Sequence, residues 1–342
     1  MTTAARQLEA DRVELVYYWA LNALGNALIV DSLDLWSTVP ATKAASRSSW
    51  LVELLKLMFG FRREAQELAI RYYRLVRALR TGFTIGIDGE AVGDSVSLES
   101  LRQDFEDIVD EIERETTGDV PPDIGDESDV AYLPEPDLES GDDNDDIEID
   151  QTADLQDLME QADRDADEQA RAVLDNLGTK NLTRKLDKLD PDEAHKAAGN
   201  RQAAAAMRIM MNAARGLTYN LASTDLRIVG WVRYSRSGHP CGWCAMLITR
   251  GFTDRSGLYF TRKNAQHQGK NQEEDKFHDN CRCVAVPIFL TTQLDSDLFS
   301  LNREFAALWQ DRISGQFTGD EALSEWRRLL RNRNNEAAQA AA

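Results

Sequence analysis

The run LRIVGWVRYSRSGHPCGWCAMLITRG at residues 226–251, answered by KFHDNCRCVAVPIFL at 276–290, decides the fold class. Its opening, LRIVGWVRYS, crowds β-branched and aromatic residues into a short run, the composition of a strand. CVAVPIFL at 283–290 has the same texture, and Leu258 to Thr261 is a further strand candidate. The chain on both sides reads as helix. The expectation is a mainly α protein: a helical N-terminal half, an acidic disordered insertion, and a small C-terminal α+β module with a Cys/His staple.

Working outward, residues 8–36 read as a helix with a broad apolar surface, which needs partners on more than one side. Residues 46–80 read as one or two helices. Leu51, Leu54, Leu55, Met58 and Phe59 sit at helical spacing, and Tyr72, Tyr73, Leu75 and Val76 continue it past Gly60. RTGFTIGIDGEAVG at 80–93 is glycine-rich and reads as a loop or short hairpin. A helix over 97–115 is marked by Ser97, Ser100 and several acids at its positive end. Asp190-Pro191 is an N-cap followed by proline at the first helical position. That helix carries Met207, Met210 and Met211 as core fillers and is expected to end or bend at Gly216. Its His195 reads as a solvated side chain. Beyond 291, Phe299, Leu301, Phe305, Leu308 and Trp309 form an apolar anchor, and a last helix spans 320–334. The expected divisions are a helical domain at 1–115, an acidic linker at 116–165, a helical region at 166–225, the Cys/His module at 226–290 and C-terminal helices at 291–342.

The net charge of −20 over 342 residues is unevenly placed. Residues 115–163 hold 19 acids and no Lys or Arg, whereas residues 177–342 come to +6. The stretch from Gly118 to about Asp150 has too little to bury to offset its ordering entropy, so it reads as a disordered spacer. An acidic arm that docks on a basic partner is the functional alternative. Without a run of 18 apolar residues, no membrane span is expected. The first fourteen residues lack the apolar block of a secretory signal. Four cysteines in 342 residues are too few for a disulfide scaffold, so synthesis in a reducing cytoplasm is expected.

All four cysteines fall in one local feature. Cys241-Gly-Trp-Cys244 is followed, after an interval of 33 residues, by His278-Asp-Asn-Cys281-Arg-Cys283. A C-x2-C turn points two sulfurs at one place, and a tetrahedral Zn²⁺ takes two such thiolates with two ligands from a second arm. Cys241, Cys244, His278, Cys281 and Cys283 are thus five candidates for four places, with His239 a weaker sixth. A C-x-C in a strand would send its side chains to opposite faces, sparing one cysteine. Disulfides, buried thiols and a redox thiol stand as alternatives. A thioredoxin-like site would need C-x-x-C at a helix N-terminus inside a βαβ unit, a pattern not evident here. Nor does the chain contain H-E-x-x-H, G-x-S-x-G, a Walker A sequence or a dinucleotide fingerprint. A nuclease with His278 and Asp279 at the metal lacks a second nearby histidine. Arg201, Arg208, Arg215, Arg233, Arg236, Arg250, Arg255 and Arg262 read first as ordinary surface, and second as phosphate contacts.

With these residues in place, VGWVRYSRSGHPCGWCAMLITRG (229–251) and KFHDNCRCVAVPIF (276–289) resemble the phage Mu F-like minor head proteins, closest to the actinobacteriophage minor capsid proteins of that group. Trp231, Arg233, Cys241, Cys244, Arg250, Gly251, His278, Asp279, Cys281 and Cys283 occupy the positions of the shared pattern. The match is close over about 60 residues and looser over 180–228 and 8–115. The resemblance implies a non-enzymatic minor structural protein of a tailed-phage head, in the head interior or at the portal vertex, and in the host cytoplasm during assembly. Its implied partners are the portal protein and the major capsid or scaffolding protein, with phage DNA if it is ejected with the genome. Some relatives carry the label of capsid maturation protease, an alternative for which this chain offers no protease motif. A zinc-stapled DNA-binding or nuclease module is the second alternative.

Overall fold

The computed structural model describes residues 3–42, 48–116, 146–223, 225–236, 240–249 and 277–341. Two compact units divide them. The first is helical. It comprises α1 (Thr3–Ser37), α2 (Ser48–Thr81), β1 (Phe83–Gly86), β2 (Ser95–Ser97), α3 (Leu98–Thr116), β3 (Asp146–Thr152), α4 (Leu155–Leu177), α5 (Thr179–Lys185) and α6 (Pro191–Ala222), and the segment Phe277–Cys281 groups with it. The second comprises β4 (Gly230–Tyr234), α7 (Gly242–Thr249), β5 (Val284–Ile288), two short 3-10 turns, α8 (Ser300–Arg312) and α9 (Gly319–Ala341).

In the first unit α1, α2 and α6 pack against one another. α1 is apolar around most of its circumference, and the packing explains why: Tyr18, Leu21, Leu24, Leu28 and Ile29 are all buried. The stretch Ala4–Ser37 is long and apolar enough to cross a membrane, but 72% of its most apolar window is already buried within the unit. α2 is one helix, not two, and runs on through Gly60. Met207, Met210 and Met211 of α6 are fully buried, as their spacing predicts. Tyr17 stacks on Tyr72 with ring centroids 4.0 Å apart, and burial pushes the Tyr17 hydroxyl up to about 12.

Arginines of α2 at three-residue intervals tie it to its surroundings. Arg71 donates to the Asp104 carbonyl of α3, and Arg74 to the Ile85 carbonyl of β1 and to Glu90. Arg77 pairs with Asp150 of β3 at 2.7 Å, and Arg80 pairs with Asp11 and Glu14 of α1. A buried guanidinium must keep an anionic or carbonyl partner, so Arg74, Arg77 and Arg80, all buried, each fix a neighbouring element.

The N-caps fall where the sequence marks them. Ser97 accepts from the Ser100 N–H at the start of α3, and Asp190 accepts from the Asp192 and Glu193 N–H groups ahead of Pro191. Gly216 does not end α6, which runs on to Ala222. His195 is half-buried and engaged: its ring stacks on Trp36, and its Nε2 lies 2.8 Å from the Val39 carbonyl.

The acidic stretch needs a correction at its end. Residues 117–145 lie outside the described residues, but Asp146–Thr152 is β3, central in a three-stranded sheet of order β1-β3-β2. β3 runs parallel to β1 and antiparallel to β2. DIEID alternates charge with isoleucine, so Ile147 and Ile149 are buried while Asp146 and Glu148 are exposed and Asp150 is half-buried against Arg77. Five apolar-alternating residues suffice where a helix layer covers one face. α4 follows at once, capped by Asp154.

In the second unit β4 and β5 pair antiparallel with Val232 opposite Val286. Both faces of β4 are buried, Arg233 included. Pro287 is tolerated because a two-stranded sheet leaves β5 an edge. Phe299 and Phe305 are fully buried, and Trp326 of α9 closes edge-on against Phe305 and Trp309. The strand candidate at 258–261, together with His239, His267, Arg250, Arg255 and Arg262, lies outside the described residues.

Candidate metal centre

The Cys241-Gly-Trp-Cys244 turn is the N-terminus of α7. The Cys244 N–H donates to Cys241 Sγ at 3.4 Å, and the Ala245 N–H donates to the Cys241 carbonyl. A first-turn amide pointing at a sulfur favours its thiolate form. The helix N-terminus that a redox C-x-x-C requires is therefore present. Among the described residues no parallel βαβ unit surrounds it, and β4 and β5 are antiparallel.

The second arm is a turn and not a strand. The Cys281 N–H donates to the His278 carbonyl at 3.1 Å, and Asn280 takes φ +61°, a left-handed conformation that asparagine tolerates. The turn carries the chain through Cys281 before β5 begins at Val284, so Cys281 and Cys283 escape the opposite-faces geometry expected of a strand and converge.

The structure brings all five candidates together in two overlapping sets. Ligand atoms of Cys241, Cys244 and His278 lie within 4.8 Å of one another, as do those of Cys244, Cys281 and Cys283. Cys244 belongs to both. Cys244, Cys281 and Cys283 are each 1% exposed, whereas Cys241 and His278 stand nearer the surface. Zn–S bonds of about 2.3 Å at tetrahedral angles put ligand atoms about 3.8 Å apart. Each set of three thus approaches the spacing of ligands on one ion. The donor chemistry, sulfur and imidazole, fits Zn²⁺ and disfavours Mg²⁺ or Ca²⁺.

The surroundings hold the donors in a ligating form. His278 Nδ1 lies 2.7 Å from the Asp279 carbonyl. A proton on Nδ1 donated there leaves the lone pair on Nε2, the usual arrangement for a metal-bound imidazole. Asp279 is anchored by Arg208 of α6 at 2.7 Å. One α6 face further along, Arg215 donates to the Cys281 carbonyl and lies 3.8 Å over the Phe277 ring. In the second unit, Arg233 Nη2 donates to Cys244 Sγ at 3.4 Å. Arg215 and Arg233 are 4% and 0% exposed, which overturns the surface reading of these two arginines. Sequence reasoning could have found them. Arg208 and Arg215 are seven residues apart and so share a helix face, and Arg233 interrupts an apolar strand.

A cleft of about 420 Å³ lined by Ile85, Gln151, Asp154, Asp157 and Asn220, among others, offers no comparable chemistry. Its Asp154 is already engaged as the cap of α4.

Residues 150–308 match the family model described as VG15 protein. That stretch contains all five sulfur and imidazole donors. The chain is also similar to the Gene 15 protein of Mycobacterium phage L5, 23% identical over 172 residues, which cover 42% of this chain and 57% of that relative. The match thus spans little more than half the relative's length. No solved structure matches. Both likenesses indicate a phage protein.

Proposed function

We propose that the chain is a minor structural protein of a tailed-phage head, bound near the portal vertex and acting in procapsid assembly. Its partners in this reading are the portal protein and the major capsid or scaffolding protein, and contact with the packaged DNA follows if it leaves with the genome. The likeness of residues 150–308 to a phage protein family supports the phage assignment. The Mu F-like pattern of residues 229–289 supports the place in the head. The observation that carries the chemistry is the convergence of five Cys and His donors, three of the sulfurs buried. A catalytic zinc keeps a position open to substrate, whereas a structural one is closed by protein ligands. Buried thiolates from two separate chain segments make the closed type, so the ion staples the module and catalyses nothing.

Quantitative mass spectrometry of purified particles tests this reading, comparing DNA-filled heads with heads emptied by triggered ejection. The protein at a few copies in full heads is the expected result, and its loss on emptying would mark it as ejected with the DNA. Presence in precursors and absence from mature particles would overturn the structural role.

A further inference from the structure

A buried cation lies against the metal centre. Arg233 lies next to the end of β4, the strand beside the Cys241–Cys244 helix, with its side chain fully buried and its guanidinium on Cys244 Sγ. Its backbone is held as firmly: Asn302 of α8, itself fully buried, donates to the Arg233 carbonyl at 2.8 Å and to the Ile248 carbonyl of α7 at 3.2 Å. Strand, helix and Asn302 thus fix the guanidinium against the one sulfur that belongs to both ligand sets.

We propose that Arg233 is the counter-charge of the metal–thiolate cluster, and that it selects a three-thiolate, one-imidazole ligand set; the inference rests on the metal-staple reading above. Zn²⁺ with three thiolates and a neutral imidazole is a buried monoanion, and one guanidinium makes the whole neutral. Four thiolates would leave a dianion half compensated by Arg233, the guanidinium that lies on a ligand sulfur, while Arg215 is turned to the Cys281 carbonyl and the Phe277 ring. Burying an uncompensated charge is costly, so the neutral combination wins. Cys241, Cys244 and His278 take three places and one of Cys281 and Cys283 the fourth, the other remaining a neutral thiol. Arg233 touches no metal in this arrangement; it is a positioning residue acting through Cys244. Outer-shell partners of this kind change metal affinity by roughly 10- to 100-fold when removed.

Cobalt(II) serves as the probe, because its thiolate charge-transfer bands report how many sulfurs bind, and zinc displacement then gives affinity. The full-length chain is compared with Arg233→Met, Arg233→Lys and Asn302→Ala. The last variant loosens the same junction of β4, α7 and α8 without removing charge. The expected result is a wild-type spectrum of three thiolates. Affinity should fall at least about 10-fold in Arg233→Met, with most of it restored in Arg233→Lys and a smaller fall in Asn302→Ala. Arg233→Met binding as tightly as wild type, equal losses in Arg233→Met and Asn302→Ala, or a four-thiolate spectrum would each overturn the inference while leaving the staple intact. A wild-type chain that takes up neither cobalt nor zinc would overturn the staple itself, and the role of Arg233 with it.

Discussion

Asp150 sits at the end of the acidic stretch, where sequence composition suggests a spacer, yet its carboxylate pairs with Arg77 of α2 at 2.7 Å. The Arg77 side chain is 1% exposed and that of Asp150 22%. Asp150→Ala leaves a cation buried at the junction of α2 and β3. Breaking a buried pair from one side costs about 3–5 kcal/mol, and the partial exposure of Asp150 places this case near 3 kcal/mol. For a unit of roughly 200 residues that is a fall in melting temperature of about 6–12 °C. The assay is thermal unfolding by circular dichroism of wild type, Asp150→Ala, Arg77→Met and the double variant. Because apolar replacement of both partners is tolerated, the double variant should recover at least half of the loss. If Asp150→Ala melted within about 1 °C of wild type, β3 would not be part of the fold and the region would be the spacer its composition suggests.

Other consequences follow from particular contacts. Glu64 on α2 is held up to about 7 from 4.5 by burial and by Glu115, Glu111 and Glu67. The folded state therefore binds its proton more tightly than the unfolded chain, and stability present below about pH 4.5 is lost as pH rises through 7. Discounted for its half-exposed position, Glu64→Gln should stabilise the chain by about 1 kcal/mol at pH 8 and have no effect at pH 4, read from denaturant midpoints at both values. Gly199→Ala would set a Cβ 2.5 Å from the Trp36 ring, and the overpacking should cost about 1–3 kcal/mol by the same midpoints. Met210→Ala opens a cavity in the fully buried face of α6 and should cost about 2–5 kcal/mol.

The long helices and the module were legible because they obey one rule each. α6 announces itself through Asp190-Pro191 and buried methionines, and β4 and β5 through apolar runs long enough to stand alone. β3 was hidden because period-2 alternation in DIEID was outweighed by the charge of the residues around it. β1 and β2, at four and three residues, are too short to register and exist only by pairing with β3. The donors of the metal centre were legible from spacing alone. Their convergence was not, because the C-x-C geometry depends on the left-handed turn at Asn280. The arginines were the larger omission. Arg71, Arg74, Arg77 and Arg80 look like a solvated stripe until the elements they hold are in place, and net charge by segment does not reveal pairs formed across the chain.

The most direct test of the central claim is the metal content of the full-length chain purified under reducing conditions, alongside Cys244→Ser. Cys244 is common to both ligand sets, so its loss should disarm either. About one zinc per chain is expected in the wild type. Almost none is expected in Cys244→Ser, with a lower melting temperature that chelation of the wild type reproduces. A metal-free wild type that melts where Cys244→Ser melts, and that a chelator leaves unchanged, would contradict it.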